Sequence, residues 1–175
     1  MDDARYPIGP FLCDQRPDAN QIRSWIEGIE ALPAQLAERI ASLSPDQLET
    51  PYREGGWTPR QVVHHLVDSH MNSILRFKLA LTEDTPTIRP YDEARWVEQA
   101  DAQGSSLEEC VALLTHLHRR WGVLLRGLGD NDLDRAYYHP EPERNVPLWE
   151  AIGTYDWHGR HHLAHIELVS VAASR

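Results

Sequence analysis

The chain has 175 residues, enough for a domain that buries roughly two thirds of its unfolded surface. Seventeen Lys plus Arg against twenty-seven Asp plus Glu leave a net charge of −10, a field that repels phosphate backbones and anionic membrane surfaces, so neither nucleic acid nor a membrane is expected as a partner. With 41% apolar and 25% charged residues, the composition excludes the disordered, collagen-like and low-complexity classes.

The opening MDDARYPIGPF has neither a basic start nor an apolar stretch, and no apolar run nears the ~18 residues of a spanning helix, so a soluble cytoplasmic protein is expected. Residues 1–20 read as an irregular arm. From Gln21, Ile22, Trp25, Ile26, Ile29, Leu32, Leu36 and Ile40 step by three or four, an amphipathic helix to about Ser42 that Pro33 should kink. Ser44-Pro45-Asp46-Gln47 can open a short helix, and Gly55-Gly56 marks a loop. Thr58-Pro59-Arg60-Gln61 combines an N-cap, a proline at the first helical position and a Gln at the third, so a second long helix runs from Pro59 to about Leu81.

Pro86 and Pro90 keep the next segment out of helix, and Ala94 to Gln99 can form one or two turns. Ser105-Ser106-Leu107-Glu108 opens a third long helix, whose apolar positions Val111, Leu114, Trp121 and Leu125 carry it to Gly127 or Gly129. Asp130 to Pro147 reads as a long loop, and the last helix runs from about Pro147 to Ala172. No segment alternates with period two long enough to compete as a strand. No repeat or linker marks a boundary either, so residues 1–175 are expected to form a single all-α domain of four long helices with long connecting loops. Cys13 and Cys110 are too few for a disulfide framework and too far apart for a Cys-x-x-Cys site.

Histidine distribution is the chemical signal. Seven of ten fall in two windows, His64 to His70 and His158 to His165, where even scatter would place about one. His158 and His162 are four apart, about 40° around a helix, so both rings leave one face with the spacing of two ligands to one ion. His165 continues that stripe, whereas His161 is turned about 100° from His162. On the second long helix, Gln61, Asp68, Ser69, Asn72 and Arg76 lie within about 60° of His65, a polar stripe on an otherwise apolar helix. One imidazole from that stripe and two from the last helix make three, a count that leaves coordination positions open, as catalytic zinc sites do. Trp57 and Trp157 sit beside these motifs and can wall a pocket, while His116, His118 and His139 read as solvated or hydrogen-bonded.

The segment Gly55-Gly56-Trp57-Thr58-Pro59-Arg60-Gln61-Val62-Val63-His64-His65-Leu66-Val67-Asp68-Ser69-His70-Met71-Asn72, with Trp157-His158-Gly159-Arg160-His161-His162-Leu163-Ala164-His165-Ile166, closely resembles the motifs of the YfiT-like metal-dependent hydrolases of the DinB superfamily. The resemblance runs from Tyr6-Pro7-Ile8-Gly9 to the last helix. It implies a DinB-like four-helix bundle that holds one divalent ion, zinc or nickel, through three histidines, often as a homodimer. Carried over by motif, these are His65, His158 and His162; His165 stands where many members have Gln, a place for a substrate contact or a group behind a ligand. Related bundles use bacillithiol, mycothiol or glutathione in transfer or isomerisation.

Three functions therefore compete. In a hydrolase, an ion with three protein ligands activates water against a small-molecule substrate. Gly159 stands where a His-Glu-x-x-His motif has its base, so Asp68, one turn from His65, is a candidate base or orienter as well as an ordinary helix-surface carboxylate. In a thiol S-transferase, the same site presents a low-molecular-weight thiol, with Arg60, Arg76 and Arg160 available for its carboxylates or simply solvated. A structural metal usually has four closed ligands, often including Cys, and neither cysteine lies near the motifs.

Overall fold

The computed structural model describes residues 3–172. After a 3-10 turn at Asp3–Arg5 come α1 (Ala19–Ala41), α2 (Pro45–Leu48), α3 (Pro59–Thr82), α4 (Glu93–Trp96), α5 (Ala100–Gly104), α6 (Leu107–Arg126), α7 (Asp130–Leu133), strands β1 (Ala136–His139) and β2 (Arg144–Pro147), and α8 (Leu148–Ala172). The four long helices expected from the sequence are α1, α3, α6 and α8. Thr58 forms the expected capping box at α3, whereas the box at α6 sits one residue on from Ser105–Glu108, with Ser106 as the cap and Glu109 reaching back to it. α1 starts before Gln21 because Asp18 caps it, its carboxylate accepting from the Gln21 N–H at 2.9 Å.

α1 packs against α6 and α8, and α3 packs against the same two helices. Consecutive long helices α1 and α3 therefore face each other across the diagonal, as do α6 and α8, and residues 42–58 and 127–147 must cross an end of the bundle. Residue pairs give the directions. α8 runs parallel to α1, with Trp25 facing Gly153 and Leu32 facing Gly159. It runs antiparallel to α3, with His65 against His162 and Arg76 against Tyr155.

Two apolar clusters fill the bundle, one containing Ile26, Phe77, Trp121 and Ile152, the other Leu36, Val63, Leu114 and Ile166. Burying each such side chain stabilises by about 1.5–3 kcal/mol. Along α3, α6 and α8, His70, His118 and His158 fall between residues of the first cluster and residues of the second. A polar layer thus lies inside the bundle.

The segment expected to be a plain loop from Asp130 to Pro147 instead holds α7 and an antiparallel hairpin pairing Tyr137 with Val146. Four residues per strand are too few for an alternating pattern to stand out. The hairpin is extended by residues 86–88, where the Ile88 N–H donates to the Tyr138 carbonyl at 3.0 Å and the Tyr138 N–H to Pro86 at 2.9 Å. Arg135, just before it, donates to the Ala80 and Glu83 carbonyls at 2.6 and 2.7 Å and closes the end of α3. No helix among the described residues is long and apolar enough to cross a membrane.

Candidate metal centre

Antiparallel packing of α3 on α8 brings the α3 polar stripe against the α8 histidine stripe. His65 Nε2 lies 3.1 Å from His158 Nε2, and His162 Nε2 lies 3.2 Å from the same atom. Ligand atoms of all three rings fall within 4.8 Å of one another. Burial, the largest cause in each case, holds His65 at about 4 and pushes His158 and His162 well below the usual histidine range, so the rings are neutral near pH 7 and carry lone pairs. The donor set fits a cation. His158 Nε2 faces two ring nitrogens and has one proton or one lone pair to offer them, whereas a divalent ion between the three would draw on a lone pair from each.

Two of these rings have partners behind them. His165 Nε2 lies 3.4 Å from the Arg5 carbonyl and its Nδ1 3.4 Å from His162 Nδ1. A carbonyl only accepts, so a neutral His165 carries its proton on Nε2, receives the His162 Nδ1–H, and leaves His162 Nε2 bare. His158 Nδ1 lies 3.3 Å from His70 Nε2. His65 Nδ1 is buried without a hydrogen-bond partner among the described residues.

The three rings open on a cavity of about 550 Å³. Trp57 covers His65, ring centroids 4.7 Å apart, and Trp157 stacks on His161 at 4.6 Å, so both tryptophans wall it as expected. His161 lines the cavity but stays outside the three-nitrogen cluster. The loop at 52–57 is shaped by its glycines: Gly55 has φ 65°, and a Cβ on Gly56 would sit 2.8 Å from Arg53 Cγ. This tight turn, closed by the Tyr52 N–H donating to the Trp57 carbonyl at 3.1 Å, carries Tyr52, Arg53 and Trp57 to the cavity.

Several sequence expectations need correction. Asp68 lines a separate hollow with Asp92, Arg95 and Asp101, where burial first and Asp101 second raise it to about 6. The carboxylate among the described residues lining the histidine cavity is Glu93, which burial raises above the usual range. Arg60 pairs with Glu49 at 2.6 Å, Arg160 with Asp156 at 2.9 Å, and Arg76 donates to the Tyr155 hydroxyl at 3.3 Å; none lines the cavity. Arg5 and Arg53 do.

Arg5 and Tyr6 belong to the arm read as merely irregular. Trp157 Nε1–H pins that arm to α8 by donating to the Gly9 carbonyl at 3.0 Å. No helical period marks such a segment, so the pairing of Gly9 with a residue 148 positions away had no signal in the sequence. Gly159 is a crossing residue: a Cβ there would meet Leu32 Cδ2 at 2.9 Å, so α1 fills the place a base would need. His116 is exposed, and His139 Nδ1 accepts from the Glu141 N–H at 3.3 Å. Cys13 and Cys110 are both free; Cys110 is buried and touches His64 rather than the cluster.

Comparison with known proteins is consistent across sequence and structure. The DinB superfamily pattern matches residues 29–166. A Bacillus subtilis (strain 168) protein named "Putative metal-dependent hydrolase YfiT" is 48% identical over 165 residues, 94% of this chain and 93% of that protein. A Bacillus cereus (strain B4264) protein with the corresponding hydrolase name is 51% identical over 166 residues, 95% of each chain. The solved structure of YfiT from Bacillus subtilis, described as having an unusual four-helix bundle topology, superimposes with a TM-score of 0.95 at 46% identity over 98% of both chains.

Proposed function

The chain belongs to the DinB superfamily, and on that premise we propose that it is a metal-dependent hydrolase in which His65, His158 and His162 hold one divalent ion, zinc or nickel, open to a small-molecule substrate. One observation carries the reading: three neutral ring nitrogens converge beside a cavity walled by aromatic rings and edged by charged groups. A closed structural site would call for a fourth protein ligand rather than a cavity. Bound there, the ion supplies Lewis acidity that lowers the pKa of a water or a thiol taken into a free position.

The chain's own residues do the rest. His165 holds the His162 ring by accepting its Nδ1–H, and Trp57 packs on His65 to keep that ring in place. Glu93, whose pKa is raised from the ordinary carboxylate value chiefly by desolvation, takes the proton of the attacking group at its carboxylate oxygen. Arg5 and Arg53 attract an anionic part of the substrate.

A second reading rests on those two arginines. Their guanidinium groups suit the carboxylates of a low-molecular-weight thiol such as bacillithiol, whose sulfur would then attack an electrophile in an S-transfer. The test is elemental analysis of tag-free protein, wild type beside His65→Ala and His162→Ala, followed by turnover of esters, amides and an aromatic electrophile with and without thiol. About one ion per chain, lost in both variants, with thiol-independent ester or amide turnover, supports the hydrolase. Turnover only with thiol replaces it by the transferase, and absence of any ion after reloading overturns both.

A further inference from the structure

We propose that Pro33, His118 and His70 form a relay that sets the tautomer of His158 and aims its Nε2 lone pair at the three-histidine centre before any ion arrives. The proposal deepens the metal-centre reading and rests on it only for the relay's purpose. Its geometry stands alone.

The relay begins with a missing proton. α1 runs through Pro33, and the Ile29 carbonyl would accept from the N–H of the residue four positions on, which proline lacks. Ile29 is buried, so its carbonyl needs another donor. His118 on α6 supplies it, with Nδ1 2.6 Å from the Ile29 oxygen. A carbonyl cannot donate; the proton sits on His118 Nδ1, and a neutral ring then has a bare Nε2.

Each link dictates the next. His118 Nε2 lies 2.8 Å from His70 Nδ1, so His70 donates there and its own Nε2 is bare. That Nε2 lies 3.3 Å from His158 Nδ1, so His158 donates in turn and its Nε2 lone pair faces the Nε2 atoms of His65 and His162. A charged ring would break the order by donating on both sides. His70 is 0% and His118 1% exposed, and the aromatic rings around them are Trp121 and Tyr155, an environment that leaves an imidazolium unpaired at high cost. The His70 and His118 planes lie 15° apart with centroids 4.9 Å apart, so the two rings meet edge to edge and the in-plane N–H of one points at the in-plane lone pair of the other. The chain touches α1, α6, α3 and α8 in turn, so packing of all four long helices holds one ligand. Neither His70 nor His118 reaches the cavity; they are positioning residues.

The experiment reads protons on ring nitrogens in the metal-free protein. Two-bond proton–nitrogen correlation spectra of nitrogen-15-labelled wild type should show His118, His70 and His158 each protonated on Nδ1 alone. His118→Phe keeps a ring but offers no acceptor, so His70 and His158 should lose that single form and the zinc Kd, measured by competition with a chromophoric chelator, should rise about 10- to 100-fold. His118→Gln can both donate to Ile29 and accept from His70, and should restore the tautomer and the affinity. Protonation of His70 or His158 on Nε2 in wild type overturns the relay, as does His118→Phe with tautomers and Kd unchanged. Should that variant fail to fold, the wild-type spectrum decides alone. If wild type carries the expected tautomers yet binds no zinc, the metal-centre reading fails while the relay stands.

Discussion

Acidifying the metal-free protein should destabilise it between about pH 7 and about pH 5, and His118 supplies the magnitude. Burial holds His118 at about 4 against an ordinary value of 6.5. Between those values the unfolded chain binds a proton that the native chain refuses, so stability falls as pH falls. From about pH 7 to about pH 5 this one residue costs about 2 kcal/mol. His65, also held at about 4 by burial, adds a similar loss in the same direction.

Asp68 works against them: raised to about 6, mainly by burial, its carboxyl is protonated earlier in the native chain and returns about 1.3 kcal/mol over the same range. For these three groups the net loss is about 2.4 kcal/mol, a large share of the roughly 5–15 kcal/mol that stabilises a domain, and His161, likewise held at about 4, adds to it. Urea titrations in chelator, followed by tryptophan fluorescence at several pH values, measure it. His118→Gln should flatten the curve. Stability that stays level within about 1 kcal/mol from pH 7 to 5 would refute the reasoning.

Other expectations are more local. Glu93→Gln should lower turnover by about 10²- to 10⁴-fold with metal content unchanged, and unaltered turnover would remove Glu93 from proton transfer. Trp157→Phe loses the hydrogen bond to the Gly9 carbonyl, which should cost about 1 kcal/mol and speed amide exchange in residues 5–12; unchanged exchange would mean the arm is held some other way. Gly159→Glu would complete a His-Glu-x-x-His pattern, yet with Leu32 Cδ2 only 2.9 Å from the added Cβ it should destabilise by at least about 2 kcal/mol and create no base, as urea titration and turnover together would reveal.

The legibility of this molecule in its sequence varies from element to element. α3 was plain because its start is written locally: Thr58, Pro59 and Gln61 satisfy the first free N–H groups wherever that helix later packs. His158 and His162 were assigned to one face for the same kind of reason, since four residues is close to one helical turn. The hairpin at 136–147 was missed because strands of four residues carry no lasting alternation and draw their stability from pairing with each other and with residues 86–88. Asp68 is a candidate on proximity to His65 in sequence and nothing there singles out Glu93, because cavity walls are assembled from segments far apart in the chain.

By itself, the sequence determined the four long helices, the α3 cap and the two histidine stripes, because periodicity and capping act within one or two turns of the chain. Only the tertiary structure decided that α1 lies diagonal to α3, that the arm at 5–9 and the loop at 52–57 edge the cavity, and that Pro33 in α1 leaves a carbonyl for His118 in α6. Those relations depend on which helix packs against which. Burial of apolar faces is nearly non-directional and leaves that order open, while hydrogen bonds inside the bundle, such as that of His118 to the Ile29 carbonyl, are directional and form in the arrangement that aligns them.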